Sequence, residues 1–493
     1  MVEKGQRPGM KLKELLRLSG SRACGADTDP LIRRITTDSR DVTSGALFIA
    51  VEGYKESGSR YIEDAVRNGA VAVVTQKRPE RVGMLPPGVA VCQTENARRE
   101  VLLLSRAFYG FPSKDLTLIG VTGTNGKTTV TYLLEKILQE AGMSPGVIGT
   151  VSYRYGRVMK KADNTTPDPL VIQPLMDRMR EGKTSHCIME VSSHALAMER
   201  VLPSDFDMAV FTNLSQDHLD FHRTMEEYFE AKTRLFTGLS PESVAVLNTD
   251  DEYGRRLVRM AKGKVVTYGT GPRVAVRGKV ESLSLSGSGF SINGVRFSTR
   301  LIGKHNIYNI VAAAAAAQSL CVDWDTIRRA VCRFENVPGR FERVGESTGI
   351  HVFVDYAHTP DALQKLLDAA GALKTGRIIT VFGCGGDRDR AKRPLMGRVV
   401  EQGSDIAIVT SDNPRTEDPL AVIEDIKKGL TGNNHLVVPD RKSAIYRAVE
   451  MALPGDIVLI AGKGHEDYQI LGQKKIHFDD REVALEALRE LRK

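Results

Sequence analysis

Residues 116–134, LTLIGVTGTNGKTTVTYLL, constrain what this chain can fold into more than any other stretch. Leu116, Thr117, Leu118 and Ile119 form an apolar run of the length and type of a buried strand. Gly120, Gly123 and Gly126 follow, then Lys127, Thr128 and Thr129, then a helix-like run. Strand, glycine loop and helix in that order let backbone N–H groups converge on a phosphate at a helix N-terminus. The lysine suits the outer phosphates and the Thr128 hydroxyl suits Mg²⁺. A strict GxxxxGK[ST] match needs glycine at 121, but this chain has Val121, with a glycine one place earlier and an extra one at 123. Lys-Thr directly after the glycine still separates the segment from an ordinary strand-to-helix turn. It reads as a nucleotide triphosphate loop.

At 493 residues the chain has room for roughly three domains of about 150 residues. A composition 41% hydrophobic and 26% charged is globular, and no run of about 18 apolar residues offers a membrane span. The N-terminus carries charge with no apolar stretch behind it, so a signal peptide is not expected. Cysteines at 24, 92, 187, 321, 332 and 384 show no CxxC pairing and read as reduced thiols of a cytoplasmic protein. The net charge of +8 fits anionic substrates such as nucleotides. The basic residues are scattered, with no aromatic-interleaved patch, so no nucleic-acid partner is expected.

In chain order, residues 1–111 read as a small α/β unit. Its expected strands are 35–40, 47–51 and 71–74, and its helix 61–68. Thr37-Asp38-Ser39-Arg40 sits at a strand end, where binding groups often lie, though the residues alone read as a capped turn. Phe111-Pro112-Ser113 breaks the chain before the nucleotide strand. The central segment, 112–337, carries Asn164-Thr165-Thr166-Pro167-Asp168 and then a strand at 187–191 that ends in Ser192-Ser193-His194. Glu190, at the end of a strand following the glycine loop, lies where a Mg²⁺-organising carboxylate is expected. A strand at 208–214 leads to a polar loop in which His218 could bind metal or cap a helix. In the helix 225–236, Lys232 lies among Tyr228, Phe229 and Leu235, and residue type alone makes it a lysine that snorkels to solvent. Residues 265–299 suggest an antiparallel appendage, and an alanine-rich helix at 309–320 can pack closely.

Pro338-Gly339 marks the second break. Residues 338–493 alternate strands and helices, as a doubly wound, Rossmann-like sheet does. Expected strands at 351–354, 378–382, 405–409, 435–438 and 456–460 end, in four cases, in polar clusters. These clusters are residues 355–358, 383–390, 411–415 and 462–466. Strand C-termini are where open α/β sheets bind ligands, so this edge is expected to form a second site facing the nucleotide.

GTNGKTT at 123–129, MEVSSHAL at 189–196, TNLSQDHLDFH at 212–222, VDYAHTPDAL at 354–363, FGCGGDRD at 382–389, SDNPR at 411–415 and GKGHE at 462–466 resemble the Mur ligase family. The seven motifs stand in family order, and the SDNPR–GKGHE pair resembles its diaminopimelate-adding branch. The family departs from the strict glycine-loop pattern in the same way as Val121. The resemblance implies an α/β protein of three domains: a small N-terminal UDP-binding one, a central P-loop ATPase-like one and the doubly wound C-terminal one. It implies an ATP-dependent ligase of peptidoglycan synthesis that joins diaminopimelate to the D-glutamate of a UDP-muramoyl dipeptide through an acyl phosphate. Mg²⁺ is the implied cofactor, ATP the co-substrate, and a cytoplasmic monomer the expected form.

Carried over residue by residue, the resemblance puts ATP on Gly123, Thr124, Asn125, Gly126, Lys127, Thr128 and Thr129, with Asn306 at adenine and Asp355 at ribose. Thr128, Glu190, His218 and Lys232 would be metal ligands. Lys232 would serve as a carbamate, because a protonated lysine cannot ligate a cation and its CO₂ adduct can. Arg340 would meet the migrating phosphoryl group, completing with Lys127, Glu190, His218 and Lys232 the implied catalytic set. Thr37 and Ser39 would lie at the uridine end, and Asn164, Thr165, Thr166, Ser192 and Arg200 at the peptidyl part. Arg388, Asp412, Asn413, Pro414, Arg415, Gly462 and Glu466 would form the diaminopimelate pocket. Arg415 presents planar donors that suit the distal carboxylate, which lysine lacks. A lysine-adding sibling, a folylpolyglutamate synthetase and a nucleotide-binding module without turnover are the alternatives.

Overall fold

The computed structural model describes residues 8–491 other than 24, 26, 54, 55, 79–81, 84 and 346–348. Cys24 therefore lies outside the described residues, as does the N-terminal stretch 1–7. The chain packs as two compact units. One is drawn from Met1–Gly120, Ser144–Ala209 and Arg234–Ser243, and the other from Val121–Met143, Val210–Thr233 and Val244–Lys493.

In the first unit, strands Arg34–Thr36, Ala46–Ile49, Ala70–Thr75 and Ala90–Gln93 form a parallel sheet in that order. Alternation along the strands decides its two faces. Leu47, Ile49, Ala72 and Val74 pack into one core with the helices Leu12–Ser19 and Ala97–Phe108, while Ala46, Phe48 and Val73 enter another with Ile62 and Ala65. The first strand is shorter than the one expected over 35–40. It stops at Thr36, because the Asp38 carboxylate accepts the Arg40 N–H and starts the 3-10 turn Ser39–Asp41. The same unit holds His186–Glu190 parallel to Pro145–Ile148, followed by the antiparallel strands Ser152–Tyr155 and Val158–Lys161.

In the second unit, Val244–Asn248 pairs parallel with Lys264–Gly269. The antiparallel appendage expected over 265–299 therefore begins later, with Val276–Ser284, Gly287–Ile292 and Val295–Thr299. Lys264–Gly269 belongs to the parallel run, and the antiparallel hairpins follow it. The alanine-rich helix is Lys304–Ser319. Ala312 through Ala317 have no exposed surface, which lets it lie close against the helix Lys127–Glu140 that follows the glycine loop.

The C-terminal sheet runs Glu342–Arg343, His351–Asp355, Ile457–Ala461, Ile378–Phe382, Ile406–Val409, His435–Val437, with only its first pairing antiparallel. Both faces are covered, as parallel sheets require. Phe353, Ile378 and Leu459 pack with Leu363, Met396 and Ile423, and Val352, Ile379 and Val458 pack with Ile445, Ala448 and Ala484. The last parallel strand inserts between the first two of the chain. That switch brings the ends of His351–Asp355, Ile457–Ala461 and Ile378–Phe382 side by side, and a crevice at such a point is where ligands bind. Among the described residues no helix is long and apolar enough to cross a membrane, and Cys187, Cys321, Cys332 and Cys384 are free thiols.

Candidate active site

The glycine loop is tied down before any ligand arrives. Gly126, at φ 87°, is the N-cap of Lys127–Glu140, and a Cβ there would strike the Asn309 side chain. A Cβ on Gly123 would fall inside the Thr212 hydroxyl. The strand end after Met208–Phe211 grips the loop: Thr212 Oγ1 donates to the Asn125 carbonyl (2.6 Å), and Asn213 Oδ1 accepts the Asn125 N–H (3.0 Å). The Asn213 carbonyl also accepts the Thr124 N–H at 2.8 Å. The backbone is thus fixed in a conformation that only glycine supplies at these points.

Two lysines converge on that loop. Lys127 Nζ donates to the carbonyls of Gly123 (2.9 Å) and Thr124 (2.8 Å), and Lys232 Nζ donates to the Gly123 carbonyl at 3.0 Å. Lys232 is 1% exposed and lies 4.6 Å from the Tyr228 ring centroid. The solvent-facing lysine that residue type suggests is therefore not what the fold makes. Burial first, and the neighbouring Lys127 charge second, hold the Lys232 amine well below the ordinary lysine range. A buried, readily deprotonated amine is the form that adds CO₂.

His218 occupies the N-cap position of the short helix Leu219–His222 at φ 55°, but its side chain makes no capping bond. Its Nε2 instead lies 3.3 Å from Asp217 Oδ2. Burial opposes ionisation of Asp217, yet His218, His358 and Lys392 together hold its carboxyl below the ordinary value. Among the described residues no three His, Cys, Asp or Glu side chains gather closely enough to hold a metal alone. The donors expected to meet Mg²⁺, the Thr128 hydroxyl and the Glu190 carboxylate, are hard oxygen ligands of the kind that ion takes one or two at a time beside water and phosphate oxygens.

From the C-terminal segment, Arg340 Nη2 reaches Thr128 Oγ1 at 3.3 Å, with its guanidinium 4.5 Å from the Tyr356 ring centroid. Asp355 accepts the N–H groups of Phe341 (2.6 Å) and Ala357 (2.7 Å), and burial raises its pKa against the pull of Arg340. Asn306 is buried; it donates to the Ile302 carbonyl (2.8 Å) and accepts from Asn309 (3.2 Å). Thr129 is buried in the first turn after Lys127.

The first unit assembles the residues expected around the peptidyl substrate. Glu190 is 1% exposed, and its two carboxylate oxygens accept from the Thr150 N–H (2.8 Å) and hydroxyl (2.9 Å). Thr166 Oγ1 donates to the Glu190 carbonyl (2.7 Å) and accepts from the Ser192 N–H (2.9 Å), while Arg200 Nη1 donates to the Thr166 carbonyl (2.8 Å). Thr165 meets the Thr150 hydroxyl (3.1 Å), and the Asn164 carbonyl accepts from Tyr153 (2.8 Å). Thr37 and Ser39 lie on the turn at the end of Arg34–Thr36, where the Ser39 carbonyl accepts from Asn68 (2.9 Å). The Arg40 guanidinium beside Asp38 lowers that carboxyl to about 2.

At the C-terminal crevice, Asn413 Nδ2 donates to Glu466 Oε2 (2.9 Å). Arg415, at φ 53°, donates from Nη1 to the Gly386 carbonyl (2.8 Å). Pro414 precedes it, and Gly462, at φ 117°, leaves room for the Asp412 carboxylate. Arg388 projects from the same loop and bonds only weakly, at 3.4 Å, to the Asp387 carbonyl. Residue-type reasoning missed Asn309, Thr150, Asp361 and Lys463. The last two sit inside quoted motifs, so a signal existed for them.

A glycine loop at a helix N-terminus, a buried lysine bonded to that loop and polar clusters at the strand ends of a doubly wound sheet are the parts of a nucleotide-dependent enzyme. Three descriptions match in chain order: "Mur ligase family, catalytic domain" over residues 31–102, "Mur ligase middle domain" over 121–317 and "Mur ligase, glutamate ligase domain" over 339–464. The chain belongs to the Mur ligase family. It is 45% identical to the UDP-N-acetylmuramoyl-L-alanyl-D-glutamate--2,6-diaminopimelate ligase of Geobacter metallireducens, over 98% of this chain and 99% of that one. With the protein of the same name from Solibacter usitatus it shares 48%, over 92% of each. A solved structure of a ligase of that name matches with a TM-score of 0.66 at 32% identity, covering 94% of this chain and 96% of the other.

Proposed function

We propose that this chain adds meso-2,6-diaminopimelate to the D-glutamate of UDP-MurNAc-L-Ala-D-Glu, using ATP and releasing ADP and phosphate, in peptidoglycan precursor synthesis. The observation that carries the reading is the nearly full-length likeness to ligases of that name. Amide formation from a free carboxylate is uphill in water, so the carboxylate must first be activated. A side-chain oxygen of D-glutamate attacks the γ-phosphorus and ADP leaves, giving an acyl phosphate. The deprotonated amine of diaminopimelate then attacks the carbonyl carbon, and the tetrahedral adduct collapses with loss of phosphate. Most of the protein's work is positioning and charge neutralisation.

Lys127 turns from its loop carbonyls to the β- and γ-phosphates, and Arg340, already at Thr128, meets the transferring phosphoryl group. Asn306 and Asp355 take the adenosine. Thr165, Thr166, Ser192, Asn164 and Arg200 hold the dipeptide, and Thr37 and Ser39 hold its uridine end. Thr128 and Glu190 would hold one Mg²⁺, and His218 with carbamylated Lys232 a second. Bound there, the ions offset phosphate charge that would repel the attacking carboxylate. The domains are 1–111 for the UDP sugar, 112–337 for ATP and 338–493 for the amino acid, acting in a cytoplasmic monomer.

Phosphate release tests the reading. With ATP and UDP-MurNAc-L-Ala-D-Glu, sustained release should require diaminopimelate. Release that ignores diaminopimelate, or follows lysine instead, would overturn it.

A further inference from the structure

The C-terminal crevice holds a buried cation that the mechanism above does not use. Lys463 has no exposed surface. Its Nζ lies 3.4 Å from Glu466 Oε2, 3.5 Å from Asn413 Oδ1 and 3.8 Å from Asp412 Oδ1, and it donates to the Tyr468 carbonyl. An ammonium removed from water is costly unless acceptors and opposite charges surround it. Three of the four surrounding groups belong to residues assigned to the diaminopimelate pocket, Asp412, Asn413 and Glu466.

Each of the three depends on that ammonium. Asp412 Oδ1 is buried and makes no hydrogen bond among the described residues, so the nearby Lys463 charge offsets it. Glu466 Oε2 is shared between Lys463 and Asn413 Nδ2. Asn413 Oδ1, turned toward Lys463, also accepts the Ile470 N–H at 2.9 Å. Ile470 belongs to the hairpin Tyr468–Leu471 and Lys474–His477, and its carbonyl accepts the Arg415 N–H at 3.1 Å. One ammonium therefore fixes the direction of an amide and a carboxylate, and through Asn413 it steadies the strand on which Arg415 hangs.

We propose that Lys463 is a positioning residue for the distal end of diaminopimelate, acting through Glu466 and Asn413. That end carries both an ammonium and a carboxylate. Glu466 suits the ammonium and Arg415 the carboxylate. Arg441 also faces both acids, but without Lys463 Asp412 and Glu466 lose their ion-pair partner, and their negative charge then opposes the incoming carboxylate. The inference rests on the proposed function.

Kinetics of Lys463→Met and Lys463→Gln test it, with wild-type turnover of diaminopimelate as the separate check on the function itself. The variants should raise KM for diaminopimelate about tenfold or more, leave kcat within about threefold, and leave KM for ATP and the UDP-muramoyl dipeptide unchanged. Preference for diaminopimelate over lysine should fall, because lysine brings no distal carboxylate. In a Glu466→Gln background, Lys463→Met should add less than about threefold, since the residue it acts through is already altered. An unchanged KM overturns the assignment, as does an undiminished effect beside Glu466→Gln. Loss of cooperative melting in both variants also overturns it, because Lys463 is then needed for the fold itself. Failure of the wild type to use diaminopimelate overturns the functional reading instead.

Discussion

Asp361 Oδ2 accepts a hydrogen bond of 2.8 Å from Asn125 Nδ2, so an acid on the helix Pro360–Gly371 holds a side chain of the glycine loop. The same oxygen accepts from Ser215 Oγ at 2.6 Å and from Lys365 Nζ at 2.8 Å. The segment following Asp355 is thereby latched to the segment expected to wrap the phosphates. Asp361→Asn keeps the shape and removes the charge. A charge-assisted hydrogen bond of this kind contributes about 1.5–3 kcal/mol, so KM for ATP should rise roughly tenfold or more in a phosphate-release assay. An unaltered KM would mean that the latch does not bear on nucleotide binding.

Lys232 should make activity depend on CO₂. Its amine is held below the ordinary lysine value of 10.5 by burial and then by Lys127, so the neutral form that captures CO₂ is available at lower pH than on an exposed lysine. Activity in CO₂-stripped buffer should fall and return on adding bicarbonate. Lys232→Met should be inactive with or without it. The stability sign follows from the same shift. Between the lowered value and 10.5 the unfolded chain binds the proton and the folded chain does not. Stability from this group therefore rises with pH across that window. Urea titrations of the wild type and Lys232→Met should show a difference in stability that shifts toward the wild type as pH rises.

If Arg415 meets the distal carboxylate as proposed, it should decide which amino acid is accepted. Its positive φ and its Nη1 bond to Gly386 aim the guanidinium from a fixed backbone. Arg415→Ala should cut kcat/KM for diaminopimelate by about a hundredfold or more, as the loss of a bidentate charged contact does. Lysine, with no distal carboxylate, should lose far less. Equal losses for both would remove Arg415 from the specificity pocket.

The strand pattern was largely legible because parallel strands buried on both faces are apolar throughout. The strand expected at 378–382 forms as Ile378–Phe382, and that expected at 187–191 as His186–Glu190. What local sequence could not carry was order and burial. Nothing in residues 456–460 says that their strand inserts between two earlier ones, since that choice is made by long-range pairing. The parallel pairing of Lys264–Gly269 was hidden for the same reason, behind Gly-Ser turns that dominate the next thirty or so residues. Lys232 shows the limit most sharply. Tyr228 and Phe229 beside a lysine look alike whether the amine escapes to water or is sealed against Gly123, and only packing separates the two. The resemblance to a family, carried by seven motifs, supplied what residue type alone left open.

Arg441 and Asp480 test how far the amino-acid crevice depends on its support. Both side chains are fully buried and paired through two hydrogen bonds, Nε to Oδ1 at 2.8 Å and Nη2 to Oδ2 at 2.7 Å. Arg441 Nη2 also donates to the Ala461 carbonyl at 2.9 Å, directly before Gly462. Burial alone would lower the arginine pKa, but the Asp480 charge and its hydrogen bonds raise it, so the guanidinium stays charged. Removing Asp480 strands that cation in a dry site. Asp480→Ala should therefore destabilise the fold by about 3–5 kcal/mol, the range for breaking a buried pair. Because the orphaned guanidinium pulls on the strand end that carries Gly462 and Lys463, KM for diaminopimelate should rise more than KM for ATP. Urea unfolding measures the first effect and steady-state kinetics the second. A destabilised variant with both KM values unchanged would show that the pair holds the sheet together without shaping the crevice.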